Sequence, residues 1–283
     1  MTVLVNGVRE TGISALDRGL HFGDGLFETI ACRHGRPSFL PLHLERLTLG
    51  CQRLKIDLSA LADAGAEIQE LARAAERSIV KVLVTRGVAV TRGYAPGASE
   101  RATRITIRYP WPDEDATQLH DGVMVRTLAL RLGENPQLAG LKHCNRLEQI
   151  LARAEFSDRG DISEGILFSS SGRLISGTMS NIFLVRASSL FTPRIDLCGV
   201  AGVMRRVVLG EAVRAGIPVR ECELGASDLL EAQEIFLTNA RIGIWPVRAL
   251  DGRDLKPGPI TRRLQAMLTP LLEGPADASS RMS

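Results

Sequence analysis

The sequence of 283 residues has few residues of the kinds that build disulfide or metal centres. Its five cysteines are an odd number, lie far apart and include no C-x-x-C pair, which argues against a disulfide framework and against a zinc site. The five histidines are equally dispersed, so we expect no metal site of any kind. A redox enzyme or a metalloenzyme is therefore disfavoured.

Long apolar runs are also missing, since no stretch approaches the roughly 18 uninterrupted apolar residues of a membrane span. The start, "MTVLVNGVRE", lacks the charged beginning and apolar run of a signal peptide. We therefore expect a cytoplasmic protein without a membrane partner. The net charge is only +3 and arginines alternate with acids along the chain, so nucleic-acid binding is not expected either.

The length and the patterning favour two domains of an α/β (α+β) protein. We predict a smaller N-terminal α/β domain at 1–112, a linker at 113–121 and a larger, β-rich C-terminal domain with flanking helices at 122–274. The tail at 275–283 is expected to be disordered, because it is short, polar and rich in small residues.

Apolar spacing predicts three helices that bear on the later argument. One begins near Leu40 and places Leu47 and Cys51 on a single face, and an alanine-rich one covers about 59–76. A third follows "GLKHC", and its residues Leu147, Ile150 and Leu151 are expected to face inward.

Lysine is the scarcest of the charged residues: the chain has four lysines and 31 arginines. Lys55, Lys81 and Lys256 have easy structural roles at a helix end, in a strand and in a turn. Lys142 differs, because it follows the small-residue loop that ends at Gly140 and precedes a helix. An ammonium group held against an apolar surface loses hydration, and the neutral amine is a usable nucleophile or base. The alternative is an exposed lysine in the first turn.

A lysine nucleophile most often serves a carbonyl compound, and pyridoxal phosphate is the commonest such partner that also needs a phosphate site. Gly199 and Gly202 precede a helix whose first N–H groups could receive a phosphate. The stretch "LTNARIG" offers a second pair of N–H groups, and the arginine of "HLERL" could complete the coordination. Each signal is weak alone, and a solvated helix arginine is the simpler interpretation of the last one.

Five segments resemble, in order and spacing, the fold-type IV pyridoxal phosphate enzymes, a group that includes branched-chain and D-amino-acid aminotransferases. They are "HFGDGLFETI", "HLERL", "GLKHCNRLEQ", "SGTMSNIF" and "TPRIDLCGVAGVMRR", within a match from about Asn6 to Pro246. The segments "RGYAPG", "RLGENPQLAGLKHCNRLEQ" and "NARIGIWPV" are most similar to the aminodeoxychorismate lyases of that group.

The resemblance implies a role for each matching residue. Lys142 becomes the lysine that bonds to pyridoxal 5'-phosphate, and Arg46 becomes the arginine on its phosphate. The other residues implied at the cofactor are Ser176, Asn181, Val203, Met204, Asn239 and Ala240. The residues expected to face the substrate are Arg92, Tyr94 and Tyr109, with Arg108 as a further candidate for its carboxylates. The resemblance also implies a homodimer acting on a small molecule.

One position departs from the resemblance. In most of the group, a glutamate stands five residues before the asparagine that corresponds to Asn181, and it pairs with the protonated pyridine nitrogen. This sequence has Ser176 at that position. A hydroxyl can share a hydrogen bond but cannot balance a pyridinium charge. We therefore expect a lyase that forms 4-aminobenzoate and pyruvate for folate biosynthesis. The alternative is a D-amino-acid or branched-chain aminotransferase.

Overall fold

The computed structural model describes residues 1–89, 92–97, 100–113 and 116–274, so the expected tail lies outside the described residues. The chain divides into two compact units. Unit 1 contains residues 1–112, residues 142–145 and the segment that begins at Pro270, and unit 2 contains residues 113–141 and 146–269. Relative to the predicted boundaries, the four residues that begin with Lys142 and the segment from Pro270 belong to unit 1.

Unit 1 is a six-stranded antiparallel sheet with helices. The strands are β1 Thr2–Val5, β2 Val8–Arg9, β3 Gly25–Arg33, β4 Arg36–Pro37, β5 Arg77–Thr85 and β6 Thr103–Pro110, and the helices are α1 Arg18–Phe22, α2 Leu40–Leu54 and α3 Ala64–Arg73. Their order in the sheet is β2-β1-β6-β5-β3-β4. Strand β5 therefore lies between β3 and β6, and it pairs with β3 along its full length and with β6 from Ser78 to Thr85.

The two faces of this sheet differ because successive strand residues point to opposite sides. Ile30, Val80 and Val82 are fully buried on the face against which α2 and α3 pack. On the other face Phe27 and Lys81 are only half-buried. The alternation in "SIVKVLVT" thus records one face covered by helices and one face that is not fully buried.

The sequence predicts α2 well and the next helix less well. Helix α2 begins at Leu40 with a proline in its first turn and buries Leu47 and Cys51, as the apolar spacing indicates. The helix expected at about 59–76 is divided into a 3-10 turn, Leu58–Leu61, and α3. Asp57 causes the early turn, because its carboxylate accepts the N–H of Ser59 and caps it.

Unit 2 is a mixed nine-stranded sheet with helices. The strands are β7 Val123–Leu132, β8 Ile162–Ser169, β9 Leu174–Gly177, β10 Asn181–Arg186, β11 Ser189–Pro193, β12 Val219–Cys222, β13 Glu234–Asn239, β14 Gly243–Leu250 and β15 Arg253–Asp254. The helices are α4 Thr117–His120, α5 Leu147–Ala154, α6 Val203–Arg214, α7 Ala226–Glu231 and α8 Pro259–Glu273, the last of which ends in unit 1.

The sheet order is β12-β11-β10-β13-β14-β7-β8-β9, with β15 paired to β14. Strands β7 and β8 run parallel, and β10, β13 and β14 form antiparallel pairs. Ile182, Leu237 and Trp245 contribute to a buried apolar cluster on one face of the sheet. Phe183 and Phe236 stack with ring centroids 4.9 Å apart, which joins β10 to β13. The antiparallel register pairs Asn181, which begins β10, with Thr238 near the end of β13. We call this end of the two strands, with the neighbouring end of β9 and the start of α6, the corner of unit 2.

Two details of unit 2 differ from the sequence-based expectations. The predicted linker contains a helical turn, α4. The prediction that the apolar residues of α5 face inward is wrong, because Leu147, Ile150 and Leu151 are 74%, 62% and 60% exposed. The helix packs on β7 and β8 and buries Ala152 instead. Among the described residues, no helix combines the length and the hydropathy required to cross a membrane.

Candidate active site

The segment that contains Lys142 is held against the beginning of β3 in unit 1. The N–H of Phe27 donates to the carbonyl of Lys142 over 2.9 Å, and the N–H of Cys144 donates to the carbonyl of Gly25 over 2.9 Å. These bonds make the segment a short antiparallel extension of the sheet. The backbone of Lys142 is therefore fixed by pairing with a strand 115 residues earlier in the chain, and not by the helix that follows it in sequence.

The side chain of Lys142 lies on an aromatic ring. Its Nζ is 4.4 Å from the ring centroid of Phe27, and the Nζ of Lys81 is 5.0 Å from the same centroid. The negative face of an aromatic ring attracts ammonium groups. Two of the four lysines of the chain thus share one phenylalanine, although the sequence suggested only a structural role for Lys81.

Arg46 lies against the next residue of β3. Its Nε donates to Oε1 of Glu28 over 2.7 Å and its Nη2 donates to Oε2 over 2.5 Å. The Nδ1 of His43 lies 2.6 Å from Oε2 of the same carboxylate. Because consecutive strand residues point to opposite faces, Phe27 and Glu28 hold Lys142 and Arg46 from the two sides of the strand.

Ser176 and Asn181 lie on either side of a tight turn in unit 2. The hydroxyl of Ser176 is buried and donates to the carbonyl of Gly177 over 2.8 Å. The Nδ2 of Asn181 donates to the carbonyl of Val200 over 2.9 Å. A Cβ atom on Gly202 would come within 2.0 Å of the Asn181 Oδ1, so only glycine fits beside this amide. The amide of Asn181 therefore packs directly against the residue that precedes α6.

The N-terminus of α6 completes this corner of unit 2. Gly202 is its N-cap and has no side chain with which to cap the helix. The first N–H groups of a helix have no partner within the helix, so Val203 and Met204 stand where a phosphate could be received. Both side chains are buried, which anchors this turn in the unit.

Asn239 joins the corner from the end of β13. Its Oδ1 accepts the N–H groups of Arg241 and Ile242 at 2.9 and 3.0 Å, which shapes the turn that contains Ala240. Its Nδ2 donates to the carbonyl of Met179 over 3.2 Å. The six residues implied at the cofactor in unit 2 are thus brought to one place. They come from the ends of β9, β10 and β13 and from the start of α6.

Glu164 organises this corner and was not identified from the sequence. Its carboxylate is fully buried and accepts the N–H of Thr178 at 3.0 Å, the N–H of Met179 at 3.2 Å and the hydroxyl of Ser180 at 3.0 Å. The hydroxyl of Thr178 also donates to it. The sequence feature that could have indicated it is an acidic residue inside the apolar strand "ISEGILF", because a buried charge needs several partners.

The substrate candidates lie on two elements of unit 1. Tyr94 is 84% exposed on the loop that also contains Arg92, and its ring centroid is 5.3 Å from that of Phe22. Tyr109 and Arg108 are consecutive residues of β6, so their side chains point to opposite faces. Tyr109 shares the face of Lys81, because it pairs with Ile79. The roles of these four residues remain predictions.

The family model for amino-transferase class IV matches residues 25–250 of this chain. The match covers both units, including the strand under Lys142 and the corner at Asn181. The chain therefore belongs to the class IV aminotransferase family, and the predictions of that family and of its mixed α/β fold are confirmed.

Individual relatives narrow the comparison. The crystal structure of 4-amino-4-deoxychorismate lyase from Pseudomonas aeruginosa matches with a TM-score of 0.92 and 42% identity over 96% of this chain and 100% of that chain. The aminodeoxychorismate lyase of Vibrio harveyi is 33% identical over 93% of this chain and 98% of the relative. The Escherichia coli branched-chain amino acid aminotransferase matches with a TM-score of 0.85 and 25% identity over 98% of this chain and 97% of that chain.

Proposed function

We propose that this enzyme uses pyridoxal phosphate to convert 4-amino-4-deoxychorismate into 4-aminobenzoate and pyruvate, a step of folate biosynthesis. The observation that carries the proposal is the corner of unit 2, which contains a neutral, buried hydroxyl, that of Ser176, together with Asn181 and the start of α6. The two relatives named as aminodeoxychorismate lyases support the same assignment.

The residues fit the chemical groups of the cofactor. In unit 1, Lys142 offers an amine for the aldehyde and Arg46 offers donors for a phosphate. In unit 2, the first N–H groups of α6 are donors of the kind that receive a phosphate. Ser176 offers a hydroxyl for the pyridine nitrogen. When bound, pyridoxal phosphate supplies an electron-withdrawing ring that stabilises negative charge on the carbon beside the substrate's amino group.

Lys142 performs the proton transfer in this proposal. Its Nζ, as the free amine, accepts the proton from C4 of the substrate. The electron pair of that C–H bond closes the aromatic ring as the bond from C3 to the enolpyruvyl oxygen breaks. The leaving group takes up a proton to become pyruvate, and 4-aminobenzoate retains the amino group. The ring of Phe27 holds the Lys142 side chain beside the sheet for this step.

Ser176 favours this reaction over transamination. A hydroxyl cannot balance a pyridinium charge, so the cofactor is a weaker electron acceptor than it is beside a carboxylate. Transamination would depend more strongly on that electron acceptor than the lyase reaction does. Formation of an aromatic ring supplies driving force of its own, which makes the lyase reaction less demanding.

The direct test supplies chorismate, glutamine and the enzyme that aminates chorismate, and then measures 4-aminobenzoate and pyruvate. We expect the two products in equal amounts with the wild-type protein and neither with Lys142→Ala. Product formation by Lys142→Ala at the wild-type rate would overturn the assignment of that residue. Turnover of D-alanine or of branched-chain amino acids faster than of aminodeoxychorismate would replace the lyase by the aminotransferase alternative.

A homodimer is also part of the proposal. The exposed apolar face of α5, formed by Leu147, Ile150 and Leu151, is the kind of surface that a second copy of the chain covers. Sedimentation of the wild-type protein should give a dimer, and Leu151→Glu should shift it towards the monomer. A monomeric wild-type protein would contradict this part. A cytoplasmic location remains a prediction.

A further inference from the structure

A buried carboxylate joins two basic side chains in unit 1, on the face of the sheet that α2 covers. Glu28 and His43 are each about 1% exposed, whereas the Arg46 side chain is 16% exposed. The Glu28 carboxylate accepts two parallel N–H bonds from Arg46, and the His43 ring contacts one of the same oxygens. We call these three residues the Glu28 cluster.

The protonation state of Glu28 suits it to hold a cation. Burial alone would raise the pKa of this carboxyl group. The charge of Arg46 and the hydrogen bonds from His43 and Arg46 outweigh burial and lower the pKa to about 2. The carboxylate is therefore ionised at every pH at which the enzyme would work, and its two bonds to Arg46 are charge-assisted.

The two hydrogen bonds to Glu28 restrict the orientation of the Arg46 guanidinium. A bidentate pair fixes the plane of the guanidinium and its rotation, because both parallel N–H bonds must stay aligned with the two carboxylate oxygens. The Nδ1 of His43 lies 2.6 Å from Oε2, which gives the carboxylate a second partner and restricts its rotation. The Nε2 of His43 is buried and has no hydrogen-bond partner among the described residues. Among the described residues, the polar contact of the ring is therefore the one with Glu28.

A second buried pair of a carboxylate and an arginine in unit 1 is a structural counterpart to the Glu28 cluster. Arg104 donates to both oxygens of Glu67, and the Thr106 hydroxyl donates to the same carboxylate over 2.8 Å. The Arg104 side chain is only 6% exposed, and it also donates to the carbonyl of Ala60. This pair joins α3 to β6 and lies in no motif of the family resemblance.

We infer that Glu28 and His43 are positioning residues that set the orientation of Arg46 towards the cofactor phosphate. The inference rests on the proposed role of Arg46. It adds a reason for two buried polar residues in "FETI" and "PLHLERL" that the lyase reaction itself does not require. Because the cluster acts on the phosphate group alone, it should discriminate pyridoxal phosphate from pyridoxal, which lacks the phosphate.

The test compares the dissociation constants of the two ligands, measured by titrating the cofactor-free protein and recording the visible absorption of the bound ligand. Glu28→Gln keeps the shape of the side chain and removes the charge. We expect weaker binding of pyridoxal phosphate by about tenfold, the effect of one misplaced charge-assisted hydrogen bond. Binding of pyridoxal should change by less than about twofold.

Two further variants keep the result interpretable. Glu28→Asp retains the charge but moves the carboxylate away from Arg46. If Glu28 acts by orienting Arg46, this variant should also discriminate less between pyridoxal phosphate and pyridoxal. Glu67→Gln removes the charge of the structural pair and should leave the ratio of the two dissociation constants unchanged. If Glu28→Gln does not fold, Glu28→Asp and His43→Asn supply the measurement, since His43→Asn keeps a donor towards Glu28 and should retain most of the discrimination.

The outcomes separate the inference from the proposed function. Equal weakening of both ligands by Glu28→Gln, or an unchanged ratio, would overturn the positioning role while the wild-type protein still bound the cofactor. Tighter binding of pyridoxal phosphate would overturn it too, because Glu28 would then act only by neutralising Arg46. If Arg46→Gln left the ratio of the two dissociation constants unchanged, the assignment of Arg46 to the phosphate, on which the inference rests, would be wrong. Absence of a cofactor band in the wild-type protein would reject the proposed function itself.

Discussion

The two units differ in the kinds of candidate residues that they contain. Unit 1 contributes charges, Lys142 and Arg46, and each is held by a side chain of β3. Unit 2 contributes neutral donors, which are the first N–H groups of α6, the Ser176 hydroxyl and the Asn181 amide. Charges can be held by single side-chain partners, whereas neutral donors depend on the backbone that presents them. Substitutions should therefore act one group at a time in unit 1 and on several groups together in unit 2.

The largest effect is expected at Lys142, which tests whether unit 1 acts through single groups. Lys142→Ala should lower the rate of 4-aminobenzoate formation by about a thousandfold or more, because the general base is removed, and should abolish the visible band of the bound cofactor. Lys81→Ala is the matched control, since its ammonium group lies over the same Phe27 ring. Lys81→Ala should retain the band. Loss of the band in both variants would contradict the different roles given to Lys142 and Lys81.

The next effect tests the claim that one residue of unit 2 supports several donors. Glu164→Gln should lower the free energy of unfolding by about 2–4 kcal/mol, because it leaves donors of the turn at Thr178 to Ser180 without their carboxylate. Urea denaturation measures the change. The same variant should weaken cofactor binding.

Glu155→Gln is the control for this change. The Glu155 carboxylate accepts two strand N–H groups, at Ala129 and Leu130, each at 2.8 Å, so its hydrogen bonds are to β7. It should lose less stability than Glu164→Gln and should leave cofactor affinity unchanged. Equal effects of the two substitutions on affinity would remove Glu164 from the site.

A smaller effect is expected where unit 2 depends on backbone geometry. Gly202→Ala should weaken pyridoxal phosphate binding by about tenfold, because the added Cβ displaces Asn181 and the beginning of α6, and one charge-assisted hydrogen bond is worth about that much. Titration of the cofactor-free protein measures it. Gly210→Ala, in the same helix, has open space at the Cβ position and should stabilise the protein by about 0.5–1 kcal/mol with unchanged affinity.

An effect of similar size tests directly whether the neutral side chain of Ser176 selects the reaction. Ser176→Glu places a carboxylate where the resemblance to the wider group expects one. We expect aminotransferase activity with D-alanine to rise by about tenfold relative to lyase activity, since a carboxylate favours the protonated pyridine nitrogen by roughly one pKa unit or more. The ratio of the two activities is the measurement. A ratio that stays constant would show that Ser176 does not select the reaction.

The sequence predicted the parts of the site that are local. A lysine between a small-residue loop and a helix, a glycine before α6 and an arginine in "HLERL" are short motifs, and their order indicated the family. The alternating strands and the spacing of α2 predicted most of the mixed fold. The apolar spacing of α5 predicted a helix with an apolar face but not what would cover that face, because periodicity carries no information about the partner.

The sequence by itself determined the residue types at the site, including the departure at Ser176, because these are fixed by identity and local order. Only the tertiary structure decided which residues hold them. Phe27 lies beneath Lys142, Glu28 pairs with Arg46, and Glu164 holds the turn before Asn181. These pairings depend on strand register and on contacts between distant segments, which leave no local pattern. The physical reason is that buried charges and rings must find their partners in three dimensions, whatever their separation along the chain.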